Sequence, residues 1–395
     1  MQPDRGAAGS SNPYLREFGR YEDRQFVPGE IELAKPPASK SARKARRRAA
    51  APVLHAKPTM SDVARLAGVG TMTVSRVLSG TVRVSAETTQ RVQTAIEQLK
   101  YRPNVLARAF RGQRSHSIGL ILPYLYDPFF ANCAHAITSV AKEHGYSVIM
   151  TTSDEDPETE YAEADEMLQR HVDGLLVIPS RIRQSRLTRS LFGKTPVVAF
   201  DRPVPDPSID TVLVQNAFGM RRITEHLIEH GHKHITFFAL SRNLFTMGTR
   251  FAGYRRAVQE AGLESCAIFD CWSEEFVEQA LKLKMSQETP PTALITANTL
   301  VTRYVLGAVA RLGLRIPADL AFAGFDDFDL AEFTSPSLTV VRQPAQEMGR
   351  VAANLLFDRI TRGEMPHSGN RIVLPVEIVL RRSCGCKHRA PVVIH

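Results

Sequence analysis

The stretch TMSDVARLAGVGTMTVSRVLSGTVRVSAETTQRVQTAIEQLKY, Thr59 to Tyr101, reads as three short helices in quick succession. Thr59 and Asp62 make a capping-box-like start, the shorter Asp standing in for the usual Glu. Val63, Ala64, Leu66 and Ala67 then form an apolar stripe, and Gly68-Val69-Gly70 breaks it. Val74, Val77 and Leu78 resume the helical period, and Ser85 caps a third helix whose buried face is Thr88, Val92, Ala95, Ile96 and Leu99. Helix, glycine-containing turn, helix is the helix-turn-helix pattern, whose second helix enters the major groove of DNA.

On the N-terminal side, residues 1–57 carry no sustained hydrophobic period, hold Pro28, Pro36, Pro37 and Pro52, and end in the basic run KSARKARRRAA. That composition predicts a disordered basic tail. The N-terminus lacks an apolar h-region, which argues against secretion and for a cytoplasmic location. The chain has 395 residues, 43% hydrophobic and 23% charged, enough for two or three domains with a real core. The net charge of +9 is unevenly spread: residues 1–115 hold 21 Lys and Arg against 9 Asp and Glu, and the remainder holds 29 against 32. A basic front end on a mildly acidic body points to nucleic acid as the partner of the front end. Nothing approaches an apolar run of membrane-spanning length, and five scattered cysteines suit reduced thiols.

From Ser117 the texture changes. Strand-length apolar runs appear (SIGLILP, YSVIMTT, DGLLVIP, PVVAFD, HITFFAL, TALITAN, LAFAGFD and LTVVRQP), separated by helical-period segments at 129–144, 158–171, 217–230, 249–262, 301–313 and 345–362. Such alternation predicts parallel, doubly wound α/β sheets, and its length favours two lobes with a cleft between them. The expected domains are a tail (1–57), a helix-turn-helix head (58–102), a hinge helix (103–115), a two-lobed body (116–382) and a C-terminal tail (383–395). The hinge, PNVLARAFRG from Pro103 to Gly112, starts at Pro103-Asn104 and stops at a glycine. Two turns are too short to be stable alone in water, so this helix should order only when paired and docked on DNA.

The chain resembles the LacI/GalR family of bacterial transcription regulators from Thr59 to about Arg382, most specifically in SDVARLAGVGTMTVSRVLSG, YRPNVLARA, GLLVIPS and AFAGFDD. The resemblance implies lobes of periplasmic-binding-protein type, a homodimer, a double-stranded operator as partner and a small effector in the cleft. The second helix begins Thr71-Met72-Thr73; Thr71 can hydrogen-bond a base edge, and Met72 suits apolar contact with a thymine methyl. In the family pattern Thr71 and Met72 match the principal base-reading positions, and Ser75 and Arg76 match further DNA contacts. Gly70 stands where the family usually has Ser. Aligning on Pro103-Asn104 puts Phe110 at the position that wedges into a minor-groove base step, usually Leu, with Arg111 beside it.

Ligands of open α/β sheets bind beyond the carboxyl ends of strands. Asp127, Asp201, Asn298 and Asp326 sit where predicted strands run out, and Arg250 lies in the helix TRFAGYRRA. Carboxylates, an amide and an arginine converging on a cleft can hold a polyhydroxylated ligand, and the arginine could pair with a ligand acid. The resemblance adds Thr246, Phe129 and Phe130 to Arg250, Asn298 and Asp326 as effector contacts. Leu244 replaces an Arg of the purine-binding branch, Thr299 replaces an Asp that often follows the Asn, and DDFDLAEFTSPSLTVVRQP is similar to gluconate-type regulators. The resemblance therefore implies a sugar or sugar-acid effector, whereas a purine-type corepressor would reverse the sign of the response.

Cys384-Gly-Cys386 has no second ligand pair in sequence, which favours reduced thiols over a metal. His226, His230, His232 and His234 cluster at a predicted helix end, where the helix C-terminus accounts for them. No catalytic triad, Walker loop or GxGxxG is present, so neither an enzyme nor a cofactor is expected. The expectation is an operator-binding regulator, a repressor in most of the family. The alternative is a sugar-binding receptor of periplasmic type without a transcriptional role.

Overall fold

The computed structural model describes residues 58–79, 84–101, 114–181, 184–363, 368–386 and 392–394. The chain divides into two compact units between Tyr101 and Arg102. The hinge residues Asn104, Phe110 and Arg111 and the tail 1–57 lie outside the described residues.

The first unit contains α1 (Met60–Ala67), α2 (Thr71–Ser79) and α3 (Ala86–Leu99). The capping box at Thr59 forms: its side chain accepts from the Asp62 N–H, while the Asp62 carboxylate accepts from the Thr59 N–H at 2.9 Å. Gly68 ends α1 at φ +66°, a left-handed position suited to glycine. Ser85 caps α3 as expected. Val63, Ala64, Ala67, Val74, Val92, Ala95 and Tyr101 make the core of this unit. Leu66, expected inside, is instead half exposed, because three neighbouring positions already fill the inward stripe of a two-turn helix. Thr88, Ile96 and Leu99 are only partly buried.

The second unit holds two sheets. The first, in the order β11-β5-β4-β3-β1-β2, comprises β1 (Ser117–Leu122), β2 (Ser147–Thr152), β3 (Gly174–Val177), β4 (Val197–Phe200), β5 (Asp210–Val214) and β11 (Arg371–Leu374), all parallel. The second, in the order β13-β12-β10-β9-β8-β6-β7, comprises β6 (Ile235–Phe238), β7 (Cys266–Ile268), β8 (Ala293–Thr296), β9 (Ala321–Phe325), β10 (Thr339–Arg342), β12 (Glu377–Leu380) and β13 (Val392–Ile394). Its first five strands in sequence are parallel; β12 and β13 add on antiparallel. Each sheet thus has the doubly wound order 2-1-3-4-5, whose switch point lies between its first and third strands.

Strands buried on both faces need continuous apolar sequence, which explains seven of the eight apolar runs; the eighth, β2, lies at the sheet edge and is only partly covered. The strands β5, β7, β11, β12 and β13 went unread because they are short, flank polar residues or lie at an edge, and the helix Glu274–Met285 was missed with them. Residues past 382 are not simply a tail. Cys384 and Cys386 are buried, and β13 extends the second sheet, because β12 would otherwise present an unpaired edge.

The chain passes between the lobes three times: from β5 into the helix Asn216–Glu229, from β10 into the helix Ala345–Arg362, and from β11 into β12. Two crossings touch, the Gln215 N–H donating to the Leu374 carbonyl at 3.1 Å. Arg359 pins the returning helix Ala345–Arg362 to β5 through both oxygens of Asp210, at 2.8 and 3.0 Å. In the second lobe, the fully buried Tyr254 donates its hydroxyl to the Ile235 carbonyl at 2.7 Å and accepts from the Cys266 N–H at 2.9 Å, fastening helix Phe245–Glu260 to the sheet. That helix lies against helix Asn216–Glu229 so closely that a Cβ on Gly253 would collide with the Ala217 carbonyl. Backbone cannot yield as a flexible side chain does, so Gly253→Ala is expected to cost about 1–3 kcal/mol by overpacking. A thermal unfolding midpoint unchanged from wild type would contradict this close approach.

Candidate functional site

In the first unit, α2 turns Val74 into the core and half-buries Val77 and Leu78. Thr71, Met72 and Arg76 are exposed on its other side, and Met72 is 68% accessible. Thr73 and Ser75 are half-buried. Spacings of four place Thr71 with Ser75, and Met72 with Arg76, on adjoining lines of one helix face. A large apolar side chain held out in water at the N-terminal end of a helix gains only if something dries it, and a thymine methyl is such a surface. Gly70 leaves open space where a Cβ would be, and its carbonyl accepts from the Thr73 and Val74 N–H groups at 2.9 and 3.2 Å. Its lack of a side chain therefore leaves the start of α2 formed.

In the second unit, a narrow cavity of about 20 Å³ lies at the carboxyl ends of both sheets. This is far below the roughly 300–1,000 Å³ usual for small-ligand sites, so the lobes are closed down on the lining residues. All seven residues expected from the sequence line it: Phe129, Phe130, Asp201, Thr246, Arg250, Asn298 and Asp326. Asp127 is there too, capping the helix Pro128–Glu143 by accepting from the Phe129 N–H at 3.0 Å. Asn298 caps the helix Thr299–Arg311 in the same way, accepting from the Val301 N–H at 3.2 Å. Tyr124, Arg202 and Gln343 also line the cavity and were not anticipated. Each stands just past a strand, so the strand-end rule would have found them had it been applied to every polar residue and not chiefly to carboxylates.

The two guanidinium groups are heavily engaged. Arg202 grips Glu155 with two hydrogen bonds, 2.6 and 2.8 Å, and also donates to the carbonyls of Pro179 and Ser180. Arg250 donates to Asn216 Oδ1 at 2.7 Å and to the Ala297 carbonyl at 2.6 Å, lies 3.7 Å from the centre of the Phe325 ring, and is 3.7 Å from Asp326. Burial holds its pKa below the ordinary arginine value, against the pull of Asp326. Asp326 also accepts from Gln343 Nε2 and the Thr299 N–H.

The acceptors are in surplus. Asp201 stands 3.3 Å from Arg202 through Oδ2, but its buried Oδ1 has no hydrogen-bond partner, and neither has Gln343 Oε1. Burial pushes the Asp201 carboxyl up to about 6, with Arg202 opposing. Burial, reinforced by the charge of Asp326, pushes Asp127 up to about 7. Asp201 and Asp326 both hold positive φ, 62° and 81°, backbone conformations that cost energy and that cluster where a site must place a side chain. Arg202 Nε, in the same lining, also lacks a hydrogen-bond partner, so two acceptors and one donor are open to a polar ligand.

Among the described residues no helix is long and apolar enough to cross a membrane. Residues 59–104 match the family described as bacterial regulatory proteins, lacI family, and residues 224–384 match the periplasmic binding protein-like domain. The chain is 33% identical over 330 residues to the HTH-type transcriptional repressor PurR of Haemophilus influenzae, covering 82% of this chain and 98% of that protein. It is 32% identical over 332 residues to the repressor of the same name in Pasteurella multocida, with the same coverage. Among solved structures it is similar to a lac repressor dimer bound to operator and the anti-inducer ONPF, with a TM-score of 0.71 and 25% identity over 83% of this chain and 99% of that one. A transcriptional regulator CelR–cellobiose complex is similar at a TM-score of 0.59 and 29% identity, over 82% and 99% of the two chains.

A carboxyl whose folded pKa is raised above its unfolded value stabilises the fold below the unfolded pKa, and that contribution is lost as pH rises through the folded one. For Asp127 and Asp201 the window runs from the ordinary value of 3.8 to about 7 and about 6. Asparagine tolerates the positive φ of Asp201. Asp201→Asn is therefore expected to unfold at a higher temperature than wild type at pH 8, the difference shrinking toward pH 4.5. Parallel melting curves across that range would show that Asp201 carries no burial penalty.

Proposed function

We propose, from the premise that this chain belongs to the lacI family of bacterial regulatory proteins, that it is a homodimeric, operator-binding repressor controlled by a neutral polyhydroxylated effector. The observation that carries the effector class is the imbalance in the cavity. Arg250 and Arg202 spend most of their donors on protein acceptors, Arg202 Nε alone lacking a hydrogen-bond partner beside Asp201, whereas two acceptors, Asp201 Oδ1 and Gln343 Oε1, await donors. A sugar brings hydroxyl donors and no charge; a sugar acid would bring a carboxylate to a site already holding three. Of the sugar and sugar-acid classes expected from the sequence, the neutral sugar fits better. The head match over 59–104 favours this reading over a receptor without a transcriptional role.

On this reading Thr71, Met72, Thr73, Ser75 and Arg76 read the operator, with Asn104, Phe110 and Arg111 of the hinge adding minor-groove contacts. The protein acts on DNA, hence in the cytoplasm, and by binding and not by catalysis. A ligand shifts the regulator only by its differential affinity for two lobe arrangements. Gln343 provides the link: it binds Asp326 in the cavity and lies at the β10 crossing between lobes.

Met72→Ala is expected to weaken binding to the preferred operator by about 1–3 kcal/mol, the worth of a specific base contact, while non-specific binding keeps its steep salt dependence. Equal loss on every sequence would remove Met72 from base reading. Neutral sugars are expected to raise the unfolding temperature of wild type by mass action, and Arg250→Ala to abolish that rise while operator binding without effector persists. Stabilisation by sugar acids alone would reverse the assignment of ligand charge.

A further inference from the structure

The fold completes a ligand set that no sequence spacing reveals. His226, in the last turn of helix Asn216–Glu229, points Nε2 at Cys386 Sγ, 3.0 Å away. Cys384 Sγ is 2.9 Å from Cys386 Sγ. The three donor atoms lie within 4.8 Å of one another, and all three residues are buried. Gly385 holds φ +82°, a conformation side chains resist, and it stands between the two cysteines. The Thr339 hydroxyl donates to Cys384 Sγ at 3.2 Å and is itself held by the Arg381 N–H at 2.9 Å, an outer support of the kind that tunes metal-bound sulfur.

We propose that His226, Cys384 and Cys386 form a structural site for a divalent, sulfur-preferring cation, zinc being the natural occupant. Two sulfurs on one tetrahedral ion stand about 3.7 Å apart, given metal–sulfur bonds of about 2.3 Å, so a small χ1 rotation of either cysteine suffices. Imidazole and thiolate donors select zinc over magnesium or calcium. Charge decides between soft ions: a divalent cation with two thiolates and a neutral imidazole is electrically neutral, whereas a monovalent one would leave a buried negative charge. Binding converts two thiols to thiolates and releases two protons, with no oxidation. The three residues supply three of the four positions of a tetrahedral ion, leaving one for an added donor. The site ties the segment after β12 to helix Asn216–Glu229, whose first residue holds Arg250 in the effector cavity.

The test is titration of the full-length, reduced, chelator-treated protein with Co2+ and then Zn2+. The expected result is one ion per chain, with thiolate-to-cobalt charge-transfer absorption that zinc abolishes and two protons released in weak buffer. Cys386→Ser and Cys384→Ser should lose the charge-transfer band, and His226→Gln should weaken binding at least tenfold. Cys271→Ser, a buried thiol outside the cluster, should leave it unchanged. Circular dichroism identifies any variant that fails to fold, and proton release by the wild type tests the site without variants. Absence of stoichiometric binding, a band that survives Cys386→Ser, or a Cys384–Cys386 disulfide as the only reactive outcome overturns the proposal. None of these results bears on operator or effector binding.

Discussion

Burying carboxylates where parallel strands end is the costly act around which the body is organised. Asp127, Asp201 and Asp326 leave water, and each must be compensated by helix N-termini, guanidinium groups or amide donors. Compensation stops short: Asp201 and Asp127 are pushed up toward neutrality, and two acceptors remain unanswered. A protein designed only for stability would replace these groups with apolar ones. Retaining them is intelligible when a ligand supplies the missing donors.

The two sheets make this arrangement possible. Each has its topological switch point at the cavity, so the ends of β1 and β6, and of their neighbours, face the same space. Three passages of the chain between lobes then connect the cavity to the scaffold. Gln343 lies at one, and Asn216, the partner of Arg250, begins the helix that follows another. Contacts made by a ligand are therefore made to the same residues that set how one lobe continues into the other. That is the physical form in which binding energy biases a two-state body.

The head obeys a different economy. Its small core rests on Val63, Val74 and Val92 with alanines between them, and its outer face spends an exposed methionine. Alanine at Ala64, Ala67 and Ala95 lets short helices approach closely, and the capping box at Thr59 and the Ser85 cap satisfy their first N–H groups. Reading chemistry thus sits on rigid local structure, while the regulatory chemistry sits at the junction of segments far apart in sequence.

Much of this was legible in the sequence because it follows from local rules. Caps, glycine breaks and helical periods located the head, and continuous apolar runs located seven buried strands and the partly covered edge strand β2, since burial on two faces leaves no room for polar alternation. Asp201, Asn298 and Asp326 were readable because the carboxyl end of a parallel strand is where ligands meet such sheets. Tertiary structure decided what depends on partners distant along the chain: that Arg202 is spoken for by Glu155, that Arg250 is held by Asn216, and that Gln343 reaches Asp326. It also placed His226 beside Cys386, 160 residues away, where spacing is silent. Propensity and periodicity are carried by neighbours in sequence; which charges are neutralised and which donors are orphaned is settled only by neighbours in space.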